Sequence, residues 1–238
     1  MRFRYGEVVA AADFAPAAEG WTRLRKSGSM WLTQLAALPV GFAVVGLTVW
    51  SWGRLVPSAF PHARLVLQSR ISEVFLQVFH AVFQSMPGVA MGPIVWVMAV
   101  LLGVVVLALA LLPLPAYFLL HEFIHALAAP GFGFSDRSVI GVWPAGGVAY
   151  SYYDGEMSRE RLLAVLLAPF FFLTILPLAA GAIFGLNPPI LAVLSVLNAI
   201  GSYVDIYNSG HFFLRLPAGA RVRLAGDGIW FIARRQSY

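Results

Sequence analysis

The chain contains no cysteine among its 238 residues and has few charged side chains. The absence of cysteine excludes disulfide bonds, a thiol nucleophile and a zinc site built from thiolates. Charged residues make up only 11% of the sequence and hydrophobic residues 60%, whereas soluble domains contain roughly 25% and 45–50%. This composition argues against a water-soluble globular enzyme and is typical of a membrane protein with several spans.

Long apolar runs predict about four membrane spans, at residues 30–52, 93–129, 162–184 and 188–214. The second run is too long for one straight crossing, and Pro113 and Pro115 are expected to break or kink it, which leaves residues 116–129 as a separate half. Pro169 and Pro177 are expected to interrupt the third run. The predicted fold class is an all-α transmembrane bundle that forms one domain over residues 1–238.

Three other segments have a different character. Residues 64–86 carry polar side chains at spacings of three and four, which predicts an amphipathic helix in the membrane interface. Residues 132–153 are rich in Gly, Val, Trp and Tyr and predict a β-hairpin or a re-entrant loop. Residues 217–238 alternate apolar and polar side chains around a turn and predict a C-terminal cytoplasmic hairpin.

The positions of the basic residues predict the orientation of the chain. Of the 16 Lys and Arg residues, 13 fall in the N-terminal tail, the connection 130–161 and the C-terminal tail. The other three are Arg54, Arg64 and Arg70, on the opposite side of the four predicted spans. Because basic residues accumulate on the cytoplasmic side, both termini are predicted to be cytoplasmic. The net charge of +5 therefore indicates contact with a lipid bilayer and no role in nucleic-acid binding.

The motif His121-Glu122-x-x-His125 places two histidines and a carboxylate in an apolar segment. Ionisable residues at membrane depth are costly and by default indicate a functional site. Histidines four positions apart project about 40° from each other on a helix, so both imidazoles can bind one metal ion. Glu122 lies beside them, where it can deprotonate a water molecule. The motif predicts a Zn²⁺ site with Glu122 as the catalytic base; two core histidines hydrogen-bonded between helices are the alternative.

A catalytic zinc site usually has a third protein ligand. Asp205 is the best candidate, because it is the only acidic residue besides Glu122 embedded in an apolar segment. A carboxylate that only packs between helices is the alternative. Asn198 shares its helix stripe and is predicted to orient a ligand or to donate to an oxyanion, unless it makes a plain interhelical hydrogen bond. His211 is a weaker rival ligand, and His80 is expected to face solvent or lipid headgroups.

Four stretches of the sequence resemble those of a known family. The motif, the stretch from Asn198 to Asp205, the Leu167-Ala168-Pro169 step and the hairpin that begins at Pro217 are similar to a bacterial branch of small four-span zincin peptidases, related to site-2 proteases. The resemblance covers roughly residues 115–235. It implies an intramembrane zinc metallopeptidase of the bacterial inner membrane that cleaves membrane-embedded or membrane-proximal protein or peptide substrates.

The resemblance is incomplete around Asp205. In site-2 proteases the third ligand commonly lies in an Asn-Pro-Asp-Gly or Leu-Asp-Gly setting, and here it is flanked by Val204 and Ile206. A catalytically inactive protease-like scaffold or chaperone, or a metal-binding membrane protein, are therefore the alternative functions. The presence of Glu122 together with a full set of candidate ligands favours the enzyme.

Overall fold

The computed structural model describes residues 1–6, 14, 16, 20–24, 30–61, 112–144, 148–186, 189–225 and 228–233, and scattered positions between 64 and 108. The helices are α1 (Met30–Leu55), α2 (Pro113–Ala128), α3 (Arg159–Phe170), α4 (Leu176–Phe184), α5 (Pro189–Gly201) and α6 (Tyr203–Arg215). The strands are β1 (Arg2–Tyr5), β2 (Thr22–Leu24), β3 (Ser138–Trp143), β4 (Val148–Tyr153), β5 (Glu156–Ser158), β6 (Arg221–Ala225) and β7 (Gly228–Ile232).

Helix α1 corresponds to the first predicted span. Its stretch Trp31–Leu55 is long and apolar enough to cross a membrane, and most of its surface is exposed. One face packs against α5 and α6, where a Cβ added at Gly41 would lie 3.1 Å from the Tyr203 ring. Near its C-terminal end, Trp52 is fully buried beside Ala192 of α5. Small residues at these contacts therefore let α1 support the helices that carry Asn198 and Asp205.

Helices α3 and α4 form one continuous apolar run, Arg159–Phe184, which is the second candidate span. The prediction that Pro169 and Pro177 interrupt this run is supported in part, because the α-helical pattern is interrupted between the two prolines but the run continues as one helix. The chain passes from α3 to α4 through a π-helical turn at Phe171–Ile175. Pro169 has no N–H for the Val165 carbonyl one turn earlier, and that carbonyl lies 2.7 Å from His125 Nδ1. The carbonyl of Pro169 accepts a hydrogen bond from the Asn198 amide nitrogen at 3.0 Å.

The fourth predicted span is bent. Ile190–Gly201 and Tyr203–Arg215 meet at an angle of 50° around Ser202. Among the described residues, two helices are long and apolar enough to cross a membrane, or three if this bent pair counts as one span. The prediction of four spans is therefore supported only in part.

The motif helix α2 begins at Pro113, where the sequence predicts the break in the second apolar run. Proline is favoured at the first helical position because its missing N–H has no partner there. With 16 residues, α2 is about 24 Å long, less than the ~30 Å hydrocarbon core of a bilayer. Most of the predicted span before residue 112 lies outside the described residues.

The prediction of an all-α bundle with short hairpins is supported in part, because the described residues are mostly helical but contain more β-structure than two hairpins. The strands form two sheets, with the orders β1-β3-β4 and β2-β7-β6-β5. Strands β3 and β4 pair as an antiparallel hairpin, and so do β6 and β7. No strand was predicted in the N-terminal tail, yet β1 pairs in parallel with β3, and β2 pairs with β7.

The two sheets are joined next to the helices. The Tyr152 hydroxyl in β4 donates to the Leu224 carbonyl in β6 at 2.9 Å. Burial raises the pKa of Tyr152 to about 12, so this hydroxyl stays protonated and able to donate. Asp154 forms ion pairs with Arg2 at 3.8 Å and with Arg223 at 3.6 Å. These contacts hold the β3–β4 hairpin in a fixed position beside α2.

The predicted interfacial helix at 64–86 is only partly described. Its described positions, which include His80, are helical and exposed. Its remaining residues lie outside the described part of the chain, as do the turn residues 145–147 and 226–227 of the two hairpins. The exposure of His80 agrees with its expected place away from the motif.

Candidate metal centre

Successive turns of α2 bring the two motif histidines together. His121 and His125 are 5% and 7% exposed, and their Nε2 atoms lie 3.2 Å apart. The Asp205 carboxylate from α6 completes the group, with its Oδ2 atom 3.3 Å from each Nε2 atom. The structure thus places two imidazole nitrogens and one carboxylate oxygen at the corners of a nearly equilateral triangle.

The bend between α5 and α6 explains how two residues of one apolar run both reach the same histidine. Asn198, before the bend, contacts the Nδ1 side of His121, and Asp205, after the bend, contacts its Nε2 side. The approach of the bend to α2 is close: a Cβ at Gly201 would lie 3.3 Å from Phe118 and 3.9 Å from His121. A larger residue at position 201 would therefore push the bend away from α2.

Asn198 determines which nitrogen of His121 carries the proton. Its amide nitrogen faces three acceptors, namely the Pro169 carbonyl at 3.0 Å, the Thr174 hydroxyl at 2.9 Å and the Ser202 hydroxyl at 3.2 Å. Its Oδ1 atom must then be the atom that faces His121 Nδ1 at 2.8 Å. An amide oxygen can only accept a hydrogen bond, so Nδ1 is the protonated nitrogen of His121.

His125 is oriented in the same way by a backbone group. Its Nδ1 atom lies 2.7 Å from the Val165 carbonyl of α3, which can only accept. In the neutral ring, Nε2 therefore carries a lone pair and no proton. Hydrogen-bonding the far nitrogen of a histidine is how proteins usually fix the tautomer of a metal ligand.

The donor atoms fit a zinc ion. With both rings protonated on Nδ1, two nitrogen lone pairs and a carboxylate oxygen face one another at 3.2–3.3 Å, which is unfavourable unless a cation lies between them. Tetrahedral Zn²⁺ with bonds of about 2.0–2.1 Å holds its ligand atoms about 3.3–3.4 Å apart. Two histidines and one carboxylate also leave the fourth position free, as in catalytic sites.

Glu122 lies beside this triangle and outside it. The candidate ligand atoms of His121, Glu122 and His125 lie within 4.8 Å of one another. Glu122 is half-buried and borders a cleft of about 510 Å³, whose walls are mostly apolar. Part of that wall comes from the β3–β4 hairpin, including Val142 and Ala149. The arrangement gives Glu122 access to the cleft and to the metal-facing atoms at once.

The rival ligand His211 has a different environment. Its ring stacks on Tyr207 within α6, with the ring centroids 6.4 Å apart and the planes at 19°. Asp205, two residues before Tyr207, is the residue of α6 that meets the two histidines. The structure therefore brings together His121, His125, Asp205 and Asn198 from the residues singled out in the sequence.

The groups that hold these side chains were not predicted from the sequence. The Val165 carbonyl does carry a signal, because Pro169, four residues later, has no N–H to bond it within the helix. Thr174 also carries a signal, because it is the only polar side chain between residues 162 and 184. It is buried, donates to the Ser195 carbonyl at 3.1 Å and accepts from Asn198. A lone hydroxyl in an apolar span could have indicated this network.

The chain was compared with protein families, curated proteins and solved structures. The model of the family described as "Putative zincin peptidase" matches residues 114–220, which include the motif, Asn198 and Asp205. No curated protein and no solved structure matches the chain. The relation to site-2 proteases stays a prediction. The segment 114–220 is thus similar to the zincin peptidases, and its buried His-Glu-x-x-His cluster is consistent with a metal site.

Proposed function

We propose that the protein is an intramembrane zinc metallopeptidase in which His121, His125 and Asp205 hold the zinc ion. The observation that carries this proposal is the triangle of three proton-free acceptor atoms at the spacing of tetrahedral zinc ligands. The match of residues 114–220 to the zincin peptidases supports it independently. The apolar helices around the site support a substrate that is embedded in the membrane or close to it.

A zinc ion bound there would make water a stronger acid and polarise the scissile carbonyl. Glu122 is the base in this proposal: it takes the proton of the attacking water and passes it to the leaving amine. Asn198 is a positioning residue that holds His121 through Nδ1. A role as oxyanion donor is disfavoured, because its amide nitrogen already faces three acceptors for its two hydrogens.

The β3–β4 hairpin is the proposed place where the substrate backbone binds. Strand β4 ends its three-stranded sheet and packs against α2, and Ala149 of β4 lines the same cleft as Glu122. A helical substrate must unwind before cleavage, because its carbonyls are hydrogen-bonded within the helix. An unwound segment can then add to the sheet as a strand beside Glu122.

The test compares zinc content and hydrolysis in purified full-length protein. We expect about one zinc per chain by elemental mass spectrometry, and cleavage of a detergent-solubilised transmembrane peptide. Glu122→Gln should keep the zinc and lose cleavage, because the amide cannot accept the proton of water. His125→Ala should lose both.

Two results would contradict this assignment. If Glu122→Gln cleaves the peptide at the wild-type rate, Glu122 is not the base. If the wild type binds zinc and cleaves no member of a library of transmembrane peptides, the inactive scaffold or the metal-binding protein becomes the better reading.

A further inference from the structure

A second groove lies on the face of α2 opposite the motif cleft. It runs between α2 and α3 and has a volume of about 690 Å³. Its walls are apolar side chains, such as Leu127 of α2 and Leu167 of α3, with Phe171 at one end. Among the described residues that line it, Arg161 is the one that carries a charge.

Arg161 has unused hydrogen-bonding capacity at this groove. Its Nη2 atom donates to the Ala129 carbonyl at 3.0 Å, whereas its Nε atom is buried and has no hydrogen-bond partner in the described part of the chain. Among the described residues no carboxylate forms an ion pair with Arg161. The neighbouring Glu160 is engaged elsewhere, where it accepts from Gly219 N at 3.2 Å. A ligand that matches this groove has an apolar body and an anionic head.

The depth of the groove matches one leaflet of a bilayer. Arg161 lies near the beginning of the candidate span Arg159–Phe184, where lipid headgroups are expected. Ala164, Leu167 and Phe171 follow on the wall of the groove. From Arg161 to Phe171 the helix rises about 15 Å, which is half of the ~30 Å hydrocarbon core. The charged end therefore lies at the headgroup level when the apolar part lies among acyl chains.

The mouth of the groove is formed by a residue in an unfavourable conformation. Phe132 has φ 52°, and it is the only non-glycine residue with positive φ in the described part of the chain. This conformation costs roughly 1–2 kcal/mol, yet the side chain is 68% exposed. Its ring lies 5.9 Å from the Arg161 guanidinium. Strain that places an exposed aromatic ring beside a cation is typical of a binding site.

We propose that this groove binds an anionic phospholipid of the surrounding bilayer. The phosphate contacts Arg161, and one acyl chain fills the space between α2 and α3. The proposal does not depend on peptidase activity.

Lipid binding can be measured by native mass spectrometry of the full-length protein in detergent. The probes are dioleoyl phosphatidylglycerol, which is anionic, and dioleoyl phosphatidylcholine, which is zwitterionic. The wild type should bind the anionic lipid about fivefold more tightly or better, since one cation contributes about 1 kcal/mol. Arg161→Gln should bring the ratio of the two affinities close to one.

A second variant tests the apolar part and leaves Arg161 in place. Ala164 is an exposed residue of the groove wall, so Ala164→Phe fills the groove without disturbing the core. It should weaken binding of both lipids about tenfold. Ala116→Phe adds the same bulk at an exposed position of α2 outside the groove, and Arg54→Gln removes an exposed cation of α1. Both controls should bind as the wild type does.

Three results would overturn the proposal. The first is equal affinity of the wild type for the two lipids. The second is wild-type binding by Ala164→Phe. The third is competition by soluble glycerol phosphate at the same concentration as the lipid, which would mean that the headgroup alone is recognised and the groove is not used.

Discussion

Replacing Asn198 by alanine should weaken zinc binding although Asn198 does not touch the metal. The substitution leaves the buried Nδ1–H of His121 without its acceptor at 2.8 Å and frees the ring to rotate or to change tautomer. Loss of such an outer contact typically lowers metal affinity 10- to 100-fold. That range corresponds to about 1.4–2.8 kcal/mol, which is the usual cost of one unsatisfied buried polar group.

Thr174→Val is the matched control, because it disturbs the same network on the side away from the histidine. It removes one of the three acceptors of the Asn198 amide nitrogen, and the Pro169 carbonyl and Ser202 hydroxyl remain for its two hydrogens. The Asn198 Oδ1 atom therefore still faces His121. Thr174→Val should lower the free energy of unfolding by about 1–2 kcal/mol and change zinc affinity by less than about threefold.

The assay is a competition titration of zinc between the detergent-purified protein and a chromophoric chelator, with circular dichroism to verify folding. If folded Asn198→Ala binds zinc as tightly as the wild type, Asn198 does not orient His121. If Thr174→Val weakens zinc binding as strongly as Asn198→Ala, the effect comes from general loosening of the helices and not from the histidine tautomer.

Two further predictions concern the third ligand and the hairpin. Asp205→Ala should lower zinc affinity more than about 100-fold, beyond the range of an outer contact, and unchanged zinc content by elemental mass spectrometry would remove Asp205 from the site. Gly141→Ala should lower the free energy of unfolding by about 1–3 kcal/mol, because the added Cβ would overlap the Tyr150 ring. The hydroxyl of that ring donates a hydrogen bond to the Gly6 carbonyl. Gly46→Ala, with open space at its Cβ, is the control in a denaturation series; equal losses in both variants would contradict the overlap.

The helical part of the fold could largely be predicted from the long apolar runs of the sequence. Helix α1 and the run Arg159–Phe184 follow from their length and composition, and Pro113 marks the beginning of α2. The strands of the N-terminal tail could not be predicted this way. β1 and β2 are only four and three residues long, so their pairing with β3 and β7 depends on partners more than 100 residues away.

The bend at Ser202 is the feature of the helical part that local sequence did not reveal. A straight helix would place Asn198 and Asp205 on one stripe, separated by about two turns. The 50° bend lets them reach opposite nitrogens of the same imidazole. It arises where Gly201 allows close approach to α2, a property that depends on the neighbour and not on the residue alone.

The amino-acid sequence by itself determined the chemistry that is available: two imidazoles at helical spacing, a carboxylate beside them, no thiol, and apolar segments in which such groups are too costly to keep without a use. Tertiary structure alone decided which atoms of those residues face one another. The Val165 carbonyl and the Asn198 amide turn both Nε2 atoms toward Asp205, and hydrogen-bond geometry between distant segments is not encoded in any local pattern.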